Sequence, residues 1–195
     1  MPTKREARIY RNRHKRSYTR KEYIKSIPES KIKIFEMGNP NGDYTHAVLL
    51  ISDEKAVILS RSLESARVTA HRYLTDTIGR ENYFLRIRPY PHEIIREVKF
   101  LGTAGADRIQ KGMRHAWGKP TDRAARIDIG QIIIECWIHQ KHLNAALEAI
   151  RRAKHKIGPK TRIEVIPLAK LYPCLLYTSD AADELDGVDL GGRRI

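Results

Sequence analysis

Residues 31–35 (KIKIF) alternate polar and apolar positions, as do 83–88 (YFLRIR). Alternation with period two sends successive side chains to opposite faces of a strand. Short β-rich runs at 45–51 (THAVLLI), 55–59 (KAVIL), 93–98 (EIIREV), 131–138 (QIIIECWI) and 161–166 (TRIEVI) also read as strands, and turn signals such as Gly38 to Gly42 separate several of them. Two stretches change period. Leu63, Ala66, Ala70, Tyr73, Leu74 and Ile78 fall on one face of a helix that Ser60 or Ser62 can cap and Gly79 stops. Leu143, Ala146, Leu147, Ile150, Ala153 and Ile157 form a second stripe, ended by Gly158-Pro159. Both helices carry basic residues off the apolar face, so each can cover a sheet while presenting positive charge outward. Strands outnumber helices and several are close neighbours. This predicts an α+β fold: a two-layer sandwich of a mostly antiparallel or mixed sheet with two main helices on one face, its topology left open.

Two stretches have no period, and both are basic. Residues 1–25 hold ten Lys/Arg against Glu6 and Glu22, a net of +8, with Tyr10, Tyr18 and Tyr23 interleaved. Repulsion among these charges keeps such an arm extended or irregular until phosphates neutralise it, while its aromatics offer stacking faces to unpaired bases. Residues 99–126 hold seven Lys/Arg against Asp107 and Asp122, punctuated by glycines at 102, 105, 112 and 118 and by Pro120. A segment of that length without periodicity reads as a functional loop, here with a short helical piece around Arg108 to Arg114. Its glycines are not a nucleotide-binding loop: Gly112 and Gly118 stand one residue too far apart, and Pro120 occupies the Ser/Thr position.

The whole chain of 195 residues balances 37 Lys+Arg against 23 Asp+Glu, a net charge of +14. With 41% apolar residues it can bury a core, and the expected organisation is a basic arm (1–25) and a sandwich domain (26–173). No apolar run approaches the ~18 to 20 residues of a membrane span, and no apolar stretch follows the basic N-terminus. Cys136 and Cys174 form no CxxC pair, which fits a reducing cytoplasm. His139 and His142 lack a second ligand pair at metal spacing, and Cys136 sits in an apolar run where a core thiol is the common outcome. Asp107 and Asp122 can be imagined as a metal-dependent nuclease pair, but salt bridges to neighbouring arginines are the simpler reading. Neither a cofactor fingerprint nor clustered acids appear, so the expectation is a non-catalytic nucleic-acid-binding protein without metal or cofactor. The rivals are an RNA-modifying or RNA-cleaving enzyme and a DNA-packaging protein, the last lacking any helix-turn-helix or zinc module.

From Cys174 the character changes. CLLYTSDAADELDGVDLGGRRI carries five acids and two arginines and has neither helical nor strand periodicity. It reads as an in-frame translation of sequencing-library adapter DNA, with an acidic interaction segment as the natural alternative. Without residues 174–195 the count is 35 bases to 18 acids, a net of +17.

YTRKEYIKSIP (18–28), KIKIFEMG (31–38), LESARVTAHRYL (63–74), IRPYPHEIIRE (87–97), GTAGADRIQKGMRHAWGKP (102–120), ARIDIGQIII (125–134) and ALEAIRRAKHKI (146–157) together resemble the universal large-subunit ribosomal protein sixteen family, in its archaeal and eukaryotic branch, where it is called the tenth protein. The likeness runs from about Ile9 to Val165, and AGADRIQKGMRHAWGKP is highly specific. The resemblance implies an α/β sandwich in the large subunit of the cytoplasmic ribosome. It further implies contact with large-subunit rRNA near the peptidyl-transferase centre, neighbouring large-subunit proteins, and help in positioning aminoacyl-site tRNA. By position, the rRNA-binding residues are then Arg8, Arg11, Arg13, Lys15, Arg16, Tyr18, Arg20 and Lys21 of the arm, with Arg86, Arg88, Lys99, Arg123 and Arg126. The loop directed at tRNA carries Arg108, Lys111, Arg114, His115, Trp117 and Lys119. The chain departs from the family pattern in its first residues and at Asn39 to Asp43, and it lacks the extended eukaryotic tail, which favours an archaeal origin.

Overall fold

The structure, a computed structural model, describes residues 21–97 and 118–172 in full, and the backbone of a short strand β1 at Lys4–Glu6. The expected α+β class and antiparallel pairing hold, with the strands divided between two sheets rather than gathered into one. The five-stranded sheet has the order β2 (Glu36–Gly38), β5 (Tyr83–Ile87), β8 (Ile132–Ile138), β3 (His46–Ser52), β9 (Thr161–Pro167). The four-stranded sheet has the order β1, β4 (Ala56–Leu59), β7 (Lys119–Ile127), β6 (Glu93–Glu97). Helix α1 (Ser60–Ile78) and helix α2 (Leu143–Lys154) pack on each other and over one face of the five-stranded sheet, and a short helix α3 (Leu168–Leu171) follows β9.

The unbroken apolar run of β3 is explained by its position. It lies between β8 and β9 and is buried on both faces, so period two sorts its side chains into two cores. Val48 and Leu50 join the helix-side core with Leu63, Ala66, Ala70 and Leu74 of α1 and Ala146, Ala149, Ile150 and Ala153 of α2. Ala47, Leu49 and Ile51 face the other way, against Trp137, Ile166, Leu168 and Leu171. The small alanines on both helix stripes allow the helix backbones close approach. Cys136 is fully buried in the helix-side core, where loss of solvation pushes its thiol up to about 12 and leaves no reactive thiolate at neutral pH.

Several boundaries differ from those the sequence predicts. The ladder near the N-terminal end of the five-stranded sheet forms at Glu36–Gly38 and not at 31–35: Ile32 is buried but Ile34 is 53% exposed, and Phe35 contributes only its carbonyl, accepting the Ile87 N–H at 2.8 Å. Gly38 has φ +91°, and a Cβ there would lie 2.0 Å from the Tyr83 carbonyl oxygen, so only glycine fits. Helix α1 begins directly after β4, with Leu59 at the N-cap position and no side-chain cap. The Ser60 hydroxyl is committed elsewhere, accepting the Lys31 N–H at 3.2 Å and donating to Asp122 Oδ1 at 2.7 Å. That carboxylate, brought in from β7, supplies the negative charge that favours a helix N-terminus. Gly79 stops α1 as expected, at φ +81°. Helix α2 ends at Lys154, four residues before Gly158, because its last turn tightens into bonds from Lys156 N–H to Ala153 O and from Ile157 N–H to Lys154 O, which still bury Ile157.

The largest difference lies in the segment expected as a loop over 99–126. From Lys119 onward it is strand β7, central in the four-stranded sheet, paired with β4 on one side and β6 on the other. Two flanking ladders and the burial of Ala124, Ala125 and Ile127 outweigh the missing alternation. Pro120, which cannot donate to a ladder, sits where the β6–β7 register slips between Ile95 and Arg96.

Tyr83, fully buried at the start of β5, shares its hydroxyl with Thr75 Oγ1 at 2.8 Å and His71 Nδ1 at 2.7 Å, both on α1. Burial, aided by the charges of Arg67 and Arg80, lowers the His71 pKa below its ordinary 6.5. The folded state therefore prefers neutral imidazole. Its contribution to stability is complete above pH 6.5 and is lost as pH falls below it. The melting temperature of the wild-type chain should fall between pH 7 and pH 5 more steeply than that of His71→Gln; parallel curves would remove His71 from the acid response.

Candidate nucleic-acid interface

Both basic stretches are rooted in the four-stranded sheet. The strand β1 lies near the start of the arm and pairs with β4 as Lys4↔Ile58, Arg5↔Val57 and Glu6↔Ala56. Residues 98–118 leave β6 and return on β7, and the ladder that closes them ends with Glu97 opposite Lys119. The chain just after the arm is tied to the same place. Arg123 of β7 donates from Nε to the Pro28 carbonyl at 2.8 Å, and its backbone N–H donates to Asp122 Oδ1 at 2.7 Å. Sequence distances of about a hundred residues thus close onto one sheet.

Of the residues expected to bind RNA, Lys21, Arg86, Arg88, Lys119, Arg123 and Arg126 are among those described. Lys21 is exposed in a single 3-10 turn beside Tyr23, and Lys119 is exposed at the start of β7. Arg126 pairs with the buried Glu93 at 2.7 Å. Arg86 and Arg88 share one face, as their spacing predicts, and meet on Glu135 of β8, whose side chain is 0% exposed. Arg88 Nε donates to Glu135 Oε2 at 2.7 Å, Arg86 Nη1 lies 3.8 Å from Oε1, and Arg86 also pairs with Glu36 at 3.0 Å. Tyr172 closes the cluster, its hydroxyl donating to Glu135 at 3.2 Å and accepting from Arg88. Arg8, Arg11, Arg13, Lys15, Arg16, Tyr18, Arg20, Lys99, Arg108, Lys111, Arg114, His115 and Trp117 lie outside the described residues, as do Asp107 and residues 174–195.

Asp122 takes the role of structural salt bridge, 3.6 Å from Arg61 Nε and hydrogen-bonded to Ser60. His139 lies against the Tyr44 ring with centroids 5.6 Å apart. Among the described residues no three His, Cys, Asp or Glu side chains are gathered as a metal site, and no helix is long and apolar enough to cross a membrane. Two features were missed from sequence. The Glu135 cluster is one: an acid inside an apolar run, QIIIECWI, was its only local signal. The other is the exposed basic end of α2, where Glu148 binds Arg151 at 2.8 Å and Arg152 at 3.0 Å, lowering the Glu148 pKa, and Arg152 lies 4.1 Å over the Tyr73 ring.

The sequence profile of the family described as ribosomal protein L16p/L10e matches residues 12–164. The chain belongs to that family. It is 48% identical over 173 residues to large ribosomal subunit protein uL16 of Hyperthermus butylicus, covering 86% of this chain and 96% of the relative. It is 47% identical over 164 residues to the protein of that name from Staphylothermus marinus, covering 84% and 94%, and 45% identical over 166 residues to that from Saccharolobus islandicus, covering 84% and 93%. These relatives are archaeal, in agreement with the branch the sequence motifs indicate, and they are structural ribosomal proteins rather than enzymes.

Proposed function

We propose that the chain is a structural constituent of the large subunit of the cytoplasmic ribosome, where it binds large-subunit rRNA near the peptidyl-transferase centre and helps to position aminoacyl-site tRNA. The observation that carries this reading is the common root of the two basic stretches in the four-stranded sheet. A rigid sheet sets where the cations start, and the cations supply phosphate contacts that orient the protein without reading sequence. Arm and loop cations take the phosphates. Arg86 and Arg88, whose side chains are 41% and 36% exposed, are held in place by Glu135 and keep guanidinium surface open to rRNA. Neighbouring large-subunit proteins complete the surroundings. The segment from Arg108 to Lys119 is the part directed at tRNA.

The double substitution Arg108→Ala with Arg114→Ala tests the assignment of that segment. Neither residue belongs to the described cores, so the melting temperature should stay within about 2 °C of wild type. Co-sedimentation with large subunits should be retained while aminoacyl-site tRNA binding by the reconstituted ribosomes drops severalfold. Unchanged tRNA binding would refute the tRNA role, and failure to co-sediment would move these residues to subunit docking.

A further inference from the structure

A second contact surface lies beyond the end of β5 away from Tyr83, in the segment Arg88-Pro89-Tyr90-Pro91-His92 that links β5 to β6. The Tyr90 ring stacks on Phe35 with centroids 5.3 Å apart and planes at 26°, and lies 4.6 Å from the His92 ring. Phe35 is partly buried against the core, whereas Tyr90 is 46% exposed and His92 is exposed. The ladder is therefore anchored at one end and open at the other. The backbone beneath it is restrained. Prolines at 89 and 91 fix φ on both sides of Tyr90, the His92 N–H donates to the Tyr90 carbonyl at 3.0 Å, and the Arg88 N–H donates to the Ile133 carbonyl at 3.1 Å. The Ile87 N–H, donating to Phe35 at 2.8 Å, ties the two segments together.

The carboxylates that directly follow the rings are engaged elsewhere, Glu36 with Arg86 at 3.0 Å and the buried Glu93 with Arg126 at 2.7 Å. Neither 31–35 nor 88–92 itself contains a carboxylate, and Lys31 and Lys33 are exposed four and two residues before Phe35. The Lys33 partner, Glu29, is 3.7 Å away and as open to solvent as the lysine, so a phosphate displaces it at little cost. An open aromatic face, a pre-ordered backbone and adjacent exposed cations are what an unpaired nucleobase and its phosphate require. We infer that Phe35, Tyr90 and His92 form a stacking platform for an unpaired RNA base, with Lys31 and Lys33 on its phosphates. The inference rests on the RNA-binding reading above and adds to it a site away from the arm and the tRNA-directed segment.

The test uses the full chain and a short single-stranded RNA carrying one 2-aminopurine, with a duplex of the same sequence beside it. Wild type should bind the single strand and quench the 2-aminopurine. Tyr90→Ala should lose the quench and bind roughly 5- to 100-fold more weakly, while Tyr90→Phe, which keeps the ring, stays within about twofold. Duplex binding should not respond to Tyr90→Ala, because paired bases present no open face. Should Tyr90→Ala fail to fold by circular dichroism, the exposed His92→Ala carries the test, and an undiminished quench there overturns the platform. A Tyr90→Ala chain that binds and quenches like wild type also overturns it, leaves the RNA-binding reading standing, and makes a neighbouring protein the occupant of the rings. A wild-type chain that binds neither RNA overturns both.

Discussion

Raising salt from about 50 to about 200 mM should weaken binding of the chain to a large-subunit rRNA fragment by three to five decades. Each neutralised phosphate releases condensed counterions, so log affinity falls with log salt by about 0.9 per contact on a duplex, and a protein holding ~6 to 10 phosphates shows this range. The arm brings ten Lys/Arg, and Lys99, Arg108, Lys111 and Arg114 add four more. The described arginines of the sheets count for less, because their charge is balanced at home: Arg88 and Arg86 by Glu135, and Arg126 by Glu93. The slope should therefore report the two aperiodic stretches, and deleting residues 1–20 should reduce it by more than half. Filter binding across a salt series measures both numbers. A slope corresponding to fewer than about three contacts would leave the phosphate-neutralising role without support.

Glu135→Ala should destabilise the fold by about 3 kcal/mol, the lower part of the range for breaking a buried ion pair. The carboxylate is inaccessible and holds two arginines and the Tyr172 hydroxyl. Its removal leaves the Arg88 Nε and the Tyr172 phenol without their acceptor, next to a ring cluster in which Trp137 packs 5.4 Å from Tyr172 and 4.7 Å from Phe84. The cost stays at the lower end because both guanidiniums already reach solvent and can turn toward it. For a domain of this size the melting temperature should drop by roughly 6–12 °C. Tyr172→Phe, which removes a single hydrogen bond, should cost only about 1 kcal/mol. Equal melting temperatures for Glu135→Ala and wild type would show that the arginines find other partners.

Much of the fold was legible because its signals are local. The runs at 45–51, 55–59, 83–88, 93–98, 131–138 and 161–166 each became a strand within a residue or two, and both helical stripes became helices with the expected apolar residues inward. The misread stretches were those whose conformation depends on distant partners. KIKIF alternates but has no ladder of its own, whereas KPTDRAARI does not alternate and lies between two ladders. Ser60 looked like a cap, yet its hydroxyl serves Asp122, sixty-two residues away.

By itself, then, the sequence determined where the chain is periodic and where it is not, that positive charge concentrates in the aperiodic parts, and which family's motifs it carries. Periodicity, charge density and motifs are properties of neighbouring residues and survive without a structure. The tertiary structure alone decided the division into two sheets, the rooting of both basic stretches in one of them, the pairing of Arg86 and Arg88 on Glu135, and the meeting of Phe35 with Tyr90. Each of these joins residues separated by tens of positions, and such contacts form only when strand pairing and burial repay the entropy of closing the chain between them.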